Sequence, residues 1–91
     1  MTYEQEITQP RNEINKINEE IILKLKQRVE VAKKIAEIKK KYGKQIIDSG
    51  REQLVISQAR NQGLEHGLNP EGVERIFQEI IKLCVEVEKK I

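Results

Sequence analysis

Apolar residues recur at Ile14, Ile17, Ile21, Leu25, Val29, Ala32, Ile35 and Ile38, in steps of three or four. That is the spacing of one helical face. From Arg11 to Tyr42 the chain holds neither Gly nor Pro, so the pattern predicts one rod on the order of 45 Å long. Thr8 or Gln9 precedes its first turn and Pro10 suits the first helical position. Residues 1–9 are then a loose, polar N-terminal segment. Lys39, Lys40 and Lys41 favour the negative end of the helix dipole, and Gly43 suits the residue just beyond it.

Two shorter helices follow. Asp48 or Ser49 caps the second, Glu52 falls in its first turn, and Leu54, Ile56 and Ala59 carry it to about Glu65. Gly63 and Gly67 break it. Asn69-Pro70-Glu71 reads as a helix start, with a cap, Pro at the first position and an acid after it. Val73, Phe77, Ile80, Cys84 and Val87 trace the third helix's inner face, widened by Ile76, Ile81 and Leu83. There is no strand signal and no repeat. The expected fold is all-α: three helices, the first much longer than the others. The two short helices cannot cover the rod, so a second copy is expected to do so in an intertwined twofold homodimer.

Composition sharpens this reading. The chain has 91 residues, so 1–91 reads as one domain. Charged residues make up 35% and hydrophobic residues 37%, but the periodicity argues against disorder. Aromatics are 3% and Trp is absent, which leaves an aliphatic core and a small domain that gains from oligomerising. A net charge of +2 lacks the basic footprint and aromatic platforms of a nucleic-acid binder. The single cysteine excludes an intrachain disulfide. No signal peptide or membrane span is legible, and the expected location is the cytoplasm.

Candidate chemistry lies close to the apolar stripes. Arg28 and Lys39 are eleven residues apart, about three turns, so they point the same way some ~16 Å apart along the rod. Two such cations suggest an anion held between helices. Asp48, Arg51 and Glu52 cluster at the start of the second helix. Cys84 and Glu88, four apart, share a face of the third. Arg11 lies ~25 Å from Arg28 along the axis and about 100° out of phase. The two cannot grip one small ligand within one chain. With antiparallel long helices in a dimer, Arg11 of one copy reaches the Arg28 region of the other.

These segments, in this order, resemble the all-helical (AroQ-class) chorismate mutase family. The resemblance is carried by Arg11 followed by Asn-Glu-Ile-Asn-Lys-Ile, by Gln27-Arg28-Val29-Glu30-Val31-Ala32, by Ile38-Lys39, by Ile47-Asp48-Ser49-Gly50-Arg51-Glu52, and by Ile76-Phe77-Gln78-Glu79-Ile80-Ile81. It runs from about residue 8 to 90. Each motif is weak alone, but the ordered set is specific.

The resemblance implies conversion of chorismate to prephenate, an intramolecular rearrangement on the route to phenylalanine and tyrosine. Such a reaction needs no nucleophile, metal or cofactor. It needs a dianion held in a reactive shape and stabilisation of charge on the breaking ether oxygen. By position, Arg28 and the partner copy's Arg11 would bind carboxylates, and Lys39 would reach a carboxylate and the ether oxygen. Glu52 would accept from the ring hydroxyl beside the Asp48 backbone, and Arg51 would order the pocket mouth. Cys84 would meet the ring carboxylate and Glu88 would donate to the ether oxygen. Two positions depart from the family's common pattern: Cys84 stands where Ser is usual, and Glu88 where Gln is usual. A thiol is the weaker donor, and a carboxylate donates only when protonated.

Each residue also has a plainer reading. Arg28 and Lys39 taken alone are solvated charges beside a helical seam. Arg51 and Glu52 are first-turn charges, and Cys84 is a small core residue. His66, at a helix end, reads as a surface residue. Two other functions compete with the mutase. One is a pyruvate lyase of the same fold acting on isochorismate. The other is a non-enzymatic helical dimerisation module, in which Arg28→Ala costs nothing beyond stability. No regulatory domain is legible, and a partner enzyme acting in trans is left open.

Overall fold

The computed structural model describes residues 1–91 and contains three helices: α1 (Tyr3–Lys41), α2 (Ser49–Glu65) and α3 (Pro70–Glu88). The all-α, three-helix expectation holds. Asp48 caps α2 by accepting from the Arg51 N–H at 3.0 Å. Asn69 caps α3 by accepting from the Gly72 N–H at 2.9 Å, with Pro70 at the first position.

One boundary differs. Residues 3–9 are helical, and Pro10 lies inside α1 instead of opening it. The start is set by Thr2: its hydroxyl accepts from the Gln5 N–H and the Gln5 side chain accepts from the Thr2 N–H, a reciprocal capping box. Glu4 and Glu6 add favourable charge in the first turn. Pro10 costs its turn a hydrogen bond to the Glu6 carbonyl, and the cap upstream carries the helix through it. With 39 residues, α1 is about 58 Å long.

At its far end α1 stops on a left-handed glycine, Gly43, with φ 67°. The Lys44 N–H donates to the Lys39 carbonyl at 2.8 Å and the Gly43 N–H to the Lys40 carbonyl at 3.2 Å. This is the paired closure of a Schellman turn. The chain turns back into a short connector, residues 42–48, that leads to α2.

Helix α3 packs against both α1 and α2, and α1 and α2 make no backbone approach to one another. Small buried residues mark the crossings, Ala32 and Ala36 on α1, Ala59 and Gly63 on α2 and Cys84 on α3, and Ile81 on α3 is the one large side chain buried with them. A Cβ on Gly63 would sit 2.8 Å from Val73 Cγ2, the tip of a stiff side chain. Gly63→Ala is therefore expected to destabilise the fold. Overpacking costs about 1–3 kcal/mol, against about 1 kcal/mol gained from helix propensity. A thermal melt at or above the parent's would show that Val73 yields.

Little of the apolar pattern is covered within one chain. Of the rod's stripe, Ala32 is buried and Leu25 and Val29 are half-buried, but Ile14, Ile17, Ile21, Ile35 and Ile38 are exposed. On α3, Cys84 and Ile81 are buried, Val73, Phe77, Ile80 and Val87 are half-buried, and Ile76 and Leu83 are exposed. The radius of gyration is 17.3 Å, where a compact chain of this length has about 12 Å. The accessible surface is 7542 Å², where a folded monomer of this mass exposes about 5,500 Å². The surplus comes from the N-terminal half of α1, which projects beyond the other helices.

Candidate active site

Because α1 and α2 meet only through α3, a gap opens between them with α3 as its floor. The gap is a cavity of about 260 Å³. Its walls come from every element. Arg28, Val31, Ala32, Ile35 and Lys39 line it from α1, and Ile46 and Asp48 from the connector. Arg51, Glu52 and Val55 come from α2, and Ile81, Cys84, Val85 and Glu88 from α3.

Seven of the eight residues singled out in the sequence thus meet in one place: Arg28, Lys39, Asp48, Arg51, Glu52, Cys84 and Glu88. The eleven-residue step from Arg28 to Lys39 does put both on the cavity side of α1. Cys84 and Glu88 share one face of α3, as their spacing requires. Arg11 is the exception. It is exposed on the projecting half of α1, outside this cavity. His66 ends α2 as its C-cap, also outside it.

The two central cations are held by neutral acceptors. Arg28 donates through Nη1 to Cys84 Sγ at 2.9 Å. The Lys39 ammonium donates to the main-chain carbonyl of Ile46 at 2.6 Å. Neither forms an ion pair. The chain's ion pairs lie elsewhere: Lys33 with Glu30, Arg60 with Glu71 and Glu74, and Lys82 with Glu79. Arg28, Lys39, Glu52 and Glu88 are half-buried, so charges here are shielded from water more than on the open surface. A sulfur and a carbonyl orient these cations without forming an ion pair.

Asp48 contributes differently. Its carboxylate is engaged in capping α2 through the Arg51 N–H. Glu71 is held below the ordinary carboxylate range, first by a backbone hydrogen bond and then by Arg60. It sits in the first turn of α3, whereas the cavity uses the second half of that helix. No cluster of three or more His, Cys, Asp or Glu is placed to hold a metal ion. No helix is long and apolar enough to cross a membrane.

The sequence reading did not single out the cavity's apolar wall or the Ile46 carbonyl. In the sequence Ile35 and Ile81 read only as packing residues. Val31, Val55 and Val85 stand beside the apolar stripes, which gives a faint signal. A main-chain acceptor gives none.

Comparison with known proteins bears on the same residues. The family profile described as chorismate mutase type II matches residues 10–89. A bifunctional chorismate mutase/prephenate dehydratase of Aquifex aeolicus (strain VF5) is 37% identical over 90 residues, covering 96% of this chain and 25% of that protein. The protein of the same name in Buchnera aphidicola subsp. Schizaphis graminum (strain Sg) is 36% identical over 81 residues, covering 89% of this chain and 21% of its own length. The chain therefore spans about a quarter or less of these relatives. No solved structure matches it.

Proposed function

The chain belongs to the chorismate mutase type II family, and from that membership we propose that it rearranges chorismate to prephenate in the cavity between its helices. The observation that carries the reading is the pair Arg28 and Lys39. Both line one cavity, are half-buried, and are held by acceptors that leave their charge intact.

The rearrangement breaks an ether C–O bond and forms a C–C bond within one molecule, so the protein's task is shape and charge. Arg28 takes one carboxylate of the dianion, where its planar fork pairs with two oxygens. Taking that carboxylate means leaving or sharing the Cys84 sulfur. Lys39 reaches a carboxylate and the ether oxygen as negative charge grows there. Glu52 accepts from the ring hydroxyl beside the Asp48 backbone, and Arg51 borders the mouth. The aliphatic wall of Val31, Ile35, Val55, Ile81 and Val85 packs the ring, and the water the ring displaces from it leaves every charged contact stronger.

One carboxylate partner is missing from the single chain. Arg11 supplies it from a second copy, in a twofold dimer in which α1 runs antiparallel to its mate. The uncovered stripe of Ile14, Ile17 and Ile21 and the surplus surface of the isolated chain support this assembly.

The test offers the purified protein chorismate and, in a parallel assay, isochorismate, and identifies the products. Prephenate from chorismate is expected. Chorismate left intact, with or without pyruvate and salicylate from isochorismate, would overturn the reading.

Glu88 yields a second prediction. A carboxyl donates to the ether oxygen only when it carries a proton, whereas an amide donates without one. Glu88→Gln is therefore expected to match or exceed the parent in kcat/KM for chorismate, with its fold intact. A folded but inactive Gln variant would remove Glu88 from the ether oxygen.

A further inference from the structure

Lys39 is tied to the connector twice. Its main-chain carbonyl accepts from the Lys44 N–H at 2.8 Å in the turn that closes α1. Its ammonium donates to the Ile46 carbonyl at 2.6 Å, part-buried. The connector is itself fixed at both ends. Gly43, at φ 67°, turns the chain back at one end, and Asp48 caps α2 at the other. The Ile46 carbonyl is thus a main-chain acceptor on a segment held at one end by the turn and at the other by the cap.

We propose that the Ile46 main-chain carbonyl is the positioning group for Lys39, and that an anionic ligand adds to this hydrogen bond and does not replace it. The inference rests on the reading of the cavity as the chorismate site. A lysine stem is long and loses much rotamer freedom when it engages a ligand. A carboxylate partner would restrain it but would also neutralise it. Asp48, Glu52 and Glu88 line the same cavity, and none lies within ion-pair distance of Lys39. A carbonyl restrains the stem and keeps the full positive charge. An ammonium has three N–H donors. The carbonyl uses one, and two remain for a carboxylate and an ether oxygen, the two contacts assigned to Lys39 above. The restraint is in place before the ligand arrives, which is the requirement for electrostatic preorganisation.

The test replaces the amide between Ile46 and Ile47 by an ester in the full-length chain, assembled by chemical synthesis. An ester carbonyl is a weaker acceptor. The Ile47 N–H that is lost makes no hydrogen bond within the chain, so the exchange is aimed at the Lys39 contact. The first readout is proton exchange at the Lys39 ammonium by nitrogen-15 NMR, its signal assigned by its absence in Lys39→Ala. Exposed Lys34 serves as the internal reference. In the parent, Lys39 is expected to exchange more slowly than Lys34. In the ester protein its exchange should rise to the Lys34 level and kcat/KM for chorismate should fall about tenfold, with little change in melting temperature. Equal exchange at Lys39 and Lys34 in the parent overturns the proposal without the ester protein having to fold. A folded ester protein with the parent's kcat/KM overturns it as well. A parent that leaves chorismate intact overturns the functional reading instead, and the exchange comparison then decides the positioning alone.

Discussion

Lys39→Ala is expected to lower kcat by about 10²–10³, because a lost contact to charge that develops in the transition state is worth about 3–4 kcal/mol. The same substitution removes the hydrogen bond to the Ile46 carbonyl, a contact of a charged donor worth about 1.5–3 kcal/mol when dry and less where water reaches a half-buried pair. The two losses should therefore separate. Chemical denaturation should show a small shift in midpoint with an unchanged slope, while turnover nearly vanishes. The Michaelis constant should rise less than kcat falls, since Arg28 and the partner copy's Arg11 still hold carboxylates. If unfolding and activity decline in proportion, Lys39 is a structural residue of the connector and the catalytic assignment fails.

Helix existence was legible because period and punctuation agreed. Asp48, Asn69 with Pro70, and Gly43 each stand where the structure uses them. The N-terminus was misread because two start signals compete. Pro10 is the louder in sequence, but Thr2 and Gln5 close a capping box that satisfies backbone donors at both residues. A proline inside a helix costs one turn, whereas a capping box begins a whole segment, and the box prevailed.

The stripe on α1 is apolar as its period requires, yet within one chain little of it is covered. Ala32 is buried and Leu25 and Val29 are half-buried, while Ile14, Ile17, Ile21, Ile35 and Ile38 face solvent. Periodicity reports that a face seeks cover and is silent on which molecule supplies it. The site shows the same division. Side chains on one helical face could be grouped by arithmetic, and Arg28 with Lys39 and Cys84 with Glu88 do meet in the cavity. Their local partners could not be grouped this way. That Arg28 donates to Cys84, and Lys39 to the carbonyl of Ile46, depends on where α3 crosses α1 and on how the Gly43 turn returns the chain.

Arg11 gives the second large effect. It is exposed about 25 Å along α1 from Arg28, so within one chain Arg11→Ala should be harmless to a ligand in the cavity. If each site is shared across a twofold dimer, Arg11→Ala and Arg28→Ala should each be nearly inactive, because each removes a carboxylate partner from both sites. Mixed in equal amounts, unfolded and refolded together, the two variants are expected to regain activity. In the hybrid, the Arg11→Ala chain keeps its own Arg28 and receives Arg11 from its mate, so that site is whole, while the other site lacks both arginines. With random pairing half of the dimers are hybrids, and one site in two is intact in each, so recovery should approach roughly a quarter of the parent's activity. The mixture is compared with each variant refolded alone, and hybrid formation is confirmed by a mass tag on one chain. A monomer by sedimentation, a fully active Arg11→Ala protein, or confirmed hybrids without recovery would each show that the sites are not shared. The exposed Ile14, Ile17 and Ile21 stripe would then need another partner to cover it.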